Sequence, residues 1–292
     1  MHRNVFWFIG LVLLLSWALV VCIRAFELGP APMTTAMALP MLLALLFILR
    51  SGEDRLSDIG WKGPGWKYMS ISVFLPLVQV GLVLAIAAAM GLISYNREHL
   101  LAHKPTSNVW LNLVLCLPGM FIPFILLSPF NLIVGWINHL GEEFAWRGYL
   151  FRKILRSQHS CLKAVFISGF CWWAWHVPMF WMSPVVAQLR PGQVWLTVAL
   201  SLLALLGTSS IYSWIYVRSG SIWAPTIMHL SWNLFRGILT GRLSDGAPGL
   251  FKGNLWIING EGTIGNIVRV LLGGFFLFPI SRLDGKSSAP PA

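Results

Sequence analysis

Charge is scarce in this chain: Asp, Glu, Lys and Arg make up only 11% of its 292 residues, and just 10 of those residues are acidic. A soluble domain of that length carries about a quarter charged residues, so a water-facing globular surface is excluded. Cysteine is nearly as rare. Cys22, Cys116, Cys161 and Cys171 lie in or beside apolar runs with no CxxC pairing, which argues against a disulfide framework and against a thiolate zinc site. The aspartates Asp54, Asp58, Asp245 and Asp284 all fall in connecting segments, so two intramembrane aspartates, the requirement of an aspartyl-type membrane protease, are lacking. No His-Glu-x-x-His motif occurs, which removes the zinc hydrolases built on it. Inverted repeats, the mark of many transporters, are not visible either.

Apolar sequence is abundant, at 57% hydrophobic residues with 16 tryptophans and a mean hydropathy of +0.71. The chain reads as an all-α polytopic membrane protein of about eight transmembrane helices. Apolar runs cover about 5–23, 34–49, 68–93, 109–140, 162–181, 194–217, 222–239 and 264–280. The first is too long for a signal h-region and has no small-x-small site before Arg24, so it is kept as a span. The fourth exceeds the ~20 residues needed to cross and is broken by Pro118, Pro123 and Pro129, so it is expected to be long, tilted or kinked. Tryptophans of the Gly60 to Trp66 link suit the headgroup level.

The net charge of +11 is spread over connections instead of forming a stripe, so no nucleic acid is expected. With eight crossings one side takes Arg3, Arg50, Arg55, Lys62, Lys67, Arg147, Arg152, Lys153, Arg156, Lys163, Arg218, Arg282 and Lys286. The other takes only Arg24, Arg97, Lys104, Arg190, Arg242 and Lys252, while Arg236 and Arg269 fall inside spans. The positive-inside rule then places both termini in the cytoplasm, with a bacterial inner membrane as the expected location. Three segments are expected: N-terminal helices over 1–104, a core over 105–240, and a last helix with a disordered tail over 241–292.

Three spans carry polar groups that hydrocarbon penalises. Glu142 and Glu143 end the fourth run, with Arg147 one turn on; Glu143 and Arg147, i and i+4 with the acid first, have the favourable order for an ion pair. His176 lies well inside the fifth run, a turn after Trp172. His229 and Asn233, again i and i+4, share a face of the seventh. Each has a structural explanation alone, since such groups also hold helices together. Three spans spending hydration energy at once point to a functional site. A carboxylate beside a histidine can hold and deprotonate water, and a histidine with an amide one turn away can donate to an oxyanion. Two imidazoles and a carboxylate, Glu142, His176 and His229, could equally hold a zinc ion. A serine mechanism would need Gly207-Thr208-Ser209-Ser210 with His229, a pattern better suited to close helix packing.

These residues resemble the motifs of the CPBP intramembrane proteases, the CAAX prenyl endopeptidases and their Abi relatives. Glu-Glu-x-x-x-Arg, Phe-x-x-x-His and His-x-x-x-Asn/Asp look like Glu142-Glu143 with Arg147, Trp172 with His176, and His229 with Asn233, across about 105–240. The resemblance implies an eight-helix fold around a polar cavity open to the cytoplasmic side, and an endopeptidase acting on a membrane-anchored, lipidated or leader peptide. It implies that Glu142 is the general base, His176 its partner on the water, and His229 with Asn233 the oxyanion donors. Glu143 and Arg147 would support them, and Trp172, in place of the usual Phe, is expected to alter pocket shape and not chemistry. Both a divalent metal and a metal-free glutamate mechanism are compatible with the motifs. Other readings are a non-enzymatic membrane scaffold or immunity protein of the same fold, and a proton-coupled transporter.

Overall fold

Backbone amides in hydrocarbon must find partners within the chain, and the apolar runs do so as helices. The computed structural model describes residues 3–27, 31–52, 54–96, 129–242, 246 and 249–282. Helix α1 (Arg3–Ala25), α2 (Ala31–Ser51) and α3 (Gly65–Ala89) cover the first three runs. After a two-residue strand β1 (Ser94–Tyr95), α4 (Pro129–Glu143) passes into a π-helical stretch, Phe144–Phe151, and a short α5 (Arg152–Gln158). Then come α6 (Cys161–Trp181), α7 (Pro191–Ser219) and α8 (Trp223–Thr240). Strand β2 (Phe251–Lys252), a single turn α9 (Leu255–Ile258) and α10 (Thr263–Ser281) complete the chain. Seven of the eight expected runs coincide with helices, and the fourth is helical from Pro129, its earlier part, including Cys116, Pro118 and Pro123, lying outside the described residues, as does the tail. Among the described residues four helices are long and apolar enough to cross a membrane: Arg3–Ala25, Gly65–Ala89, Pro191–Ser219 and Leu255–Ser281.

The strands pair antiparallel, Ser94 with Lys252 and Tyr95 with Phe251, tying the end of α3 to the link after α8. Sequence pattern gave no sign of this two-residue ladder, because a pair of residues has no periodicity to detect.

Helix packing is tightest where side chains vanish. A Cβ on Gly273 would collide with the Cα of Gly207, so α7 and α10 touch through backbone. Ser210 adds a hydroxyl bond of 2.7 Å to the Gly273 carbonyl, and Ser209 donates to Val165 of α6 at 3.2 Å. Among the described residues no bond joins Ser209, Ser210 or Thr208 to His229, so this stretch packs helices, as expected for small residues within a membrane.

At the basic end, the Gly60 to Trp66 link is a platform for α8. Gly60 takes φ 87°, with its Cβ position 2.7 Å from the Gly220 carbonyl, so both backbone angle and space require glycine. Ile222 N–H donates to the Gly60 carbonyl at 2.8 Å and the Trp223 indole to that of Trp61 at 2.9 Å. Lys153 pairs with Asp54 at 2.8 Å and Arg156 with Asp58 at 3.1 Å. Burial pushes the Asp58 carboxyl up, but the Arg156 hydrogen bond and the charges of Arg152 and Arg156 outweigh it and hold it below its usual range.

Candidate active site

The acidic pair sits where α4 widens. Residues 141–151 are all buried, and the backbone from Phe144 to Phe151 is π-helical, a form that recurs as an interruption at functional sites. Glu143 and Arg147 nonetheless meet as their spacing predicts: the guanidinium donates to Glu143 at 3.1 Å, with both side chains 0% exposed. The Arg147 guanidinium carbon lies over Trp172, 4.2 Å from the ring centre, and 5.1 Å from that of Tyr212 on α7. Such stacks favour a planar cation. Glu143 also accepts from His229 Nδ1 at 2.9 Å.

Glu142 points elsewhere, also as expected, and the Trp172 indole N–H donates to its Oε2 at 2.9 Å. The expectation that tryptophan here changes shape alone overlooks this bond, because a phenylalanine at 172 has no N–H to give. Trp172 is also the centre of the cluster. Its carbonyl accepts from His176 Nδ1 at 2.9 Å, and its ring lies 5.6 Å from that of His176 and 5.5 Å from that of His229. Since a carbonyl only accepts, His176 carries its proton on Nδ1 and presents a bare Nε2. Among the described residues no bond joins Glu142 directly to either histidine; Trp172 stands between them.

Asn233, the fourth expected residue, is held on both sides. Its Nδ2 meets His139 Nε2 at 2.7 Å, and its Oδ1 accepts from Arg236 at 3.2 Å. Arg236 in turn pairs with Glu261 at 3.1 Å. Arg269, the other basic residue within a span, donates to Thr208 at 2.9 Å and to Asn266 at 3.3 Å. His139 escaped sequence reasoning although a signal existed: His139, Glu143 and Arg147 repeat at four-residue spacing along one face.

Glu142, Glu143 and Arg147 are buried, whereas His176, Asn233, Arg236 and Glu261 are partly accessible. His176, Asn233 and Arg236 lie toward the ends of α6 and α8 remote from the basic connection 152–163, and Glu261 lies in the turn before α10, so they lend no support to an opening on the basic side. An apolar groove of about 530 Å³ between α1 and the far end of α6 is lined by Trp17, Val20, Val21, Val177 and Trp181, and His176 is not part of its lining.

The zinc set suggested by the motifs is not assembled. Among the described residues no three His, Cys, Asp or Glu side chains are placed to hold a metal ion. Glu142 is instead met by an indole N–H, a donor with no lone pair for a cation, and the Nδ1 of His229 is taken by Glu143. The residues present do not fit a metal, and no step is derived through one.

One family model matches the chain, that of the type II CAAX prenyl endopeptidase Rce1-like proteins, over residues 121–235. The span includes Glu142, Glu143, Arg147, Trp172, His176, His229 and Asn233. No curated protein matches the chain significantly.

Proposed function

We propose that this chain is a member of the type II CAAX prenyl endopeptidase, Rce1-like family, whose model matches residues 121–235, and that it hydrolyses a peptide bond of a membrane-anchored or lipidated substrate by means of a glutamate-activated water. The observation that supports this reading is that Glu142, His176 and His229 each meet Trp172, while Asn233 is linked to His229 through the intervening His139 ring.

A water donating one hydrogen to Glu142 and the other to the bare His176 Nε2 has its oxygen lone pair directed at the carbonyl carbon. As the carbon–oxygen bond forms, Glu142 takes the water proton. The resulting oxyanion accepts from the Asn233 amide and from His229 Nε2. For Nε2 to donate while Nδ1–H is given to Glu143, the His229 ring must carry both protons, and Glu143 is the counter-ion such a ring requires. Collapse breaks the C–N bond, and the proton held by Glu142 leaves with the amine. The apolar groove toward the same end of α6, lined by Trp17, Val177 and Trp181, is the proposed place for a lipid tail on the substrate.

The full arrangement proposed is eight crossings with both termini cytoplasmic, resting on the sidedness of the basic residues. Purified protein in bilayers, given a prenylated CAAX peptide, should release the C-terminal fragment by mass spectrometry, and Glu142→Gln should lose the ~100- to 10,000-fold that a general base supplies. Equal cleavage by a folded Glu142→Gln protein sinks the assignment, and the absence of cleavage by wild type favours the scaffold reading.

A further inference from the structure

His139 lies outside every motif that identifies the site, yet it touches the group proposed to stabilise the oxyanion. We infer that His139 is a positioning residue: with Arg236 it fixes the Asn233 amide so that a side-chain N–H, and not the carbonyl oxygen, faces the reacting bond. The inference rests on the protease reading above and adds a residue to it.

Two independent constraints agree. From one side, His139 Nδ1 is bonded to the carbonyl of Gly135, one turn back on its own helix. A carbonyl only accepts, so the proton is on Nδ1 and Nε2 is a lone-pair acceptor. The atom of Asn233 at 2.7 Å from that Nε2 must therefore be the amide nitrogen. From the other side, the guanidinium of Arg236 can only donate, so the atom it meets at 3.2 Å must be the amide oxygen. Rotating the amide by half a turn would set donor against donor at Arg236 and acceptor against acceptor at His139. Both bonds would be lost, and at His139 the buried ring nitrogen would be left without a partner. With one N–H on His139, the second remains for the substrate.

The His139 ring also stands edge-on to that of His229, with centres 4.6 Å apart, so it spaces the two donors from each other as well. Helix α4 thus contributes more than the base. Its face carrying His139 and Glu143 supports α8 at Asn233 and His229 respectively, while Glu142 acts on the water. An oxyanion donor that points correctly before substrate arrives pays no reorientation cost in the transition state, which is where such donors gain their effect.

The test is a double-mutant cycle with an activity-independent companion. His139→Leu should lower kcat by about 10- to 100-fold with KM little changed, part of the ~100- to 1,000-fold that an oxyanion donor is worth. His139→Gln, whose side-chain oxygen can accept where Nε2 did, should recover most of that loss. In the Asn233→Ala background, His139→Leu should cost less than about threefold more, because its route of action is gone. A simple packing role predicts multiplied losses and no rescue by Gln, and either result overturns the inference. Separately, in ¹⁵N-histidine-labelled protein in detergent, the Nε2 resonance assigned to His139 by its loss in His139→Gln should move in Asn233→Ala. A resonance that stays put refutes the bond whether or not any peptide is cleaved; a resonance that moves while wild type cleaves nothing leaves the bond standing and removes the protease reading.

Discussion

Replacing Arg147 with methionine tests the buried ion pair on which the acidic end of the site depends. Methionine fills a similar length between Trp172 and Tyr212 but supplies no charge. The wild-type guanidinium gives Glu143 a bond of 3.1 Å with both partners fully enclosed, and a charge-assisted hydrogen bond of this kind is worth about 1.5–3 kcal/mol. Its loss leaves a carboxylate at 0% exposure with His229 as its remaining partner, and breaking one side of a buried pair costs ~3–5 kcal/mol. Loss of the stacking over the Trp172 ring falls within that range. Equilibrium unfolding by SDS titration in mixed micelles reads the change. The same reasoning demands that Glu143→Gln combined with Arg147→Met be less damaged than Arg147→Met alone, since no isolated charge is then left. A single variant within ~0.5 kcal/mol of wild type, the range of surface substitutions, or a double variant with additive losses, would refute the argument.

Three further outcomes are expected. Trp172→Phe keeps an aromatic ring but removes the indole bond to Glu142, and kcat on a peptide substrate should fall about tenfold with KM unchanged, the size of one such bond; full activity would show that tryptophan matters for shape alone. Gly273→Ala forces a methyl into the Gly207 backbone and should cost ~1–3 kcal/mol of unfolding free energy, whereas Gly274→Ala, with nothing within 4 Å of its Cβ position, should cost little; equal effects would contradict the backbone contact. In a cysteine-free background, Lys163→Cys and Lys252→Cys should react with a membrane-impermeant maleimide from opposite sides, with 163 cytoplasmic. Labelling of both from one side would break the topology read from basic residues.

Much of the fold was legible because hydrocarbon leaves the backbone no choice but helix, and apolar length marks each one. The i, i+4 spacings of Glu143 with Arg147 and of His229 with Asn233 carried real contact information, since such spacing fixes a shared helix face. What spacing leaves open is which face meets which. That Glu143, not Glu142, would take His229, and that Asn233 would find His139, depends on how α4 and α8 are rotated against each other. The π-helical stretch at 144–151 further changes the facing of the residues after Glu143, and no residue in it announces the change. Trp172 shows the reverse case: its identity was noted, but its chemistry became visible only when its N–H was placed against Glu142.

The claim at the centre is that one wet spot beside Trp172 holds both the activated water and the oxyanion donors. A structure of Glu142→Gln with an uncleaved lipidated peptide tests it most directly. The account predicts the scissile carbonyl oxygen within hydrogen-bond reach of Asn233 Nδ2 and His229 Nε2, the carbonyl carbon facing residue 142 and His176, and the lipid tail in the groove lined by Trp17 and Trp181. A peptide bound with its scissile bond away from these four residues would contradict it.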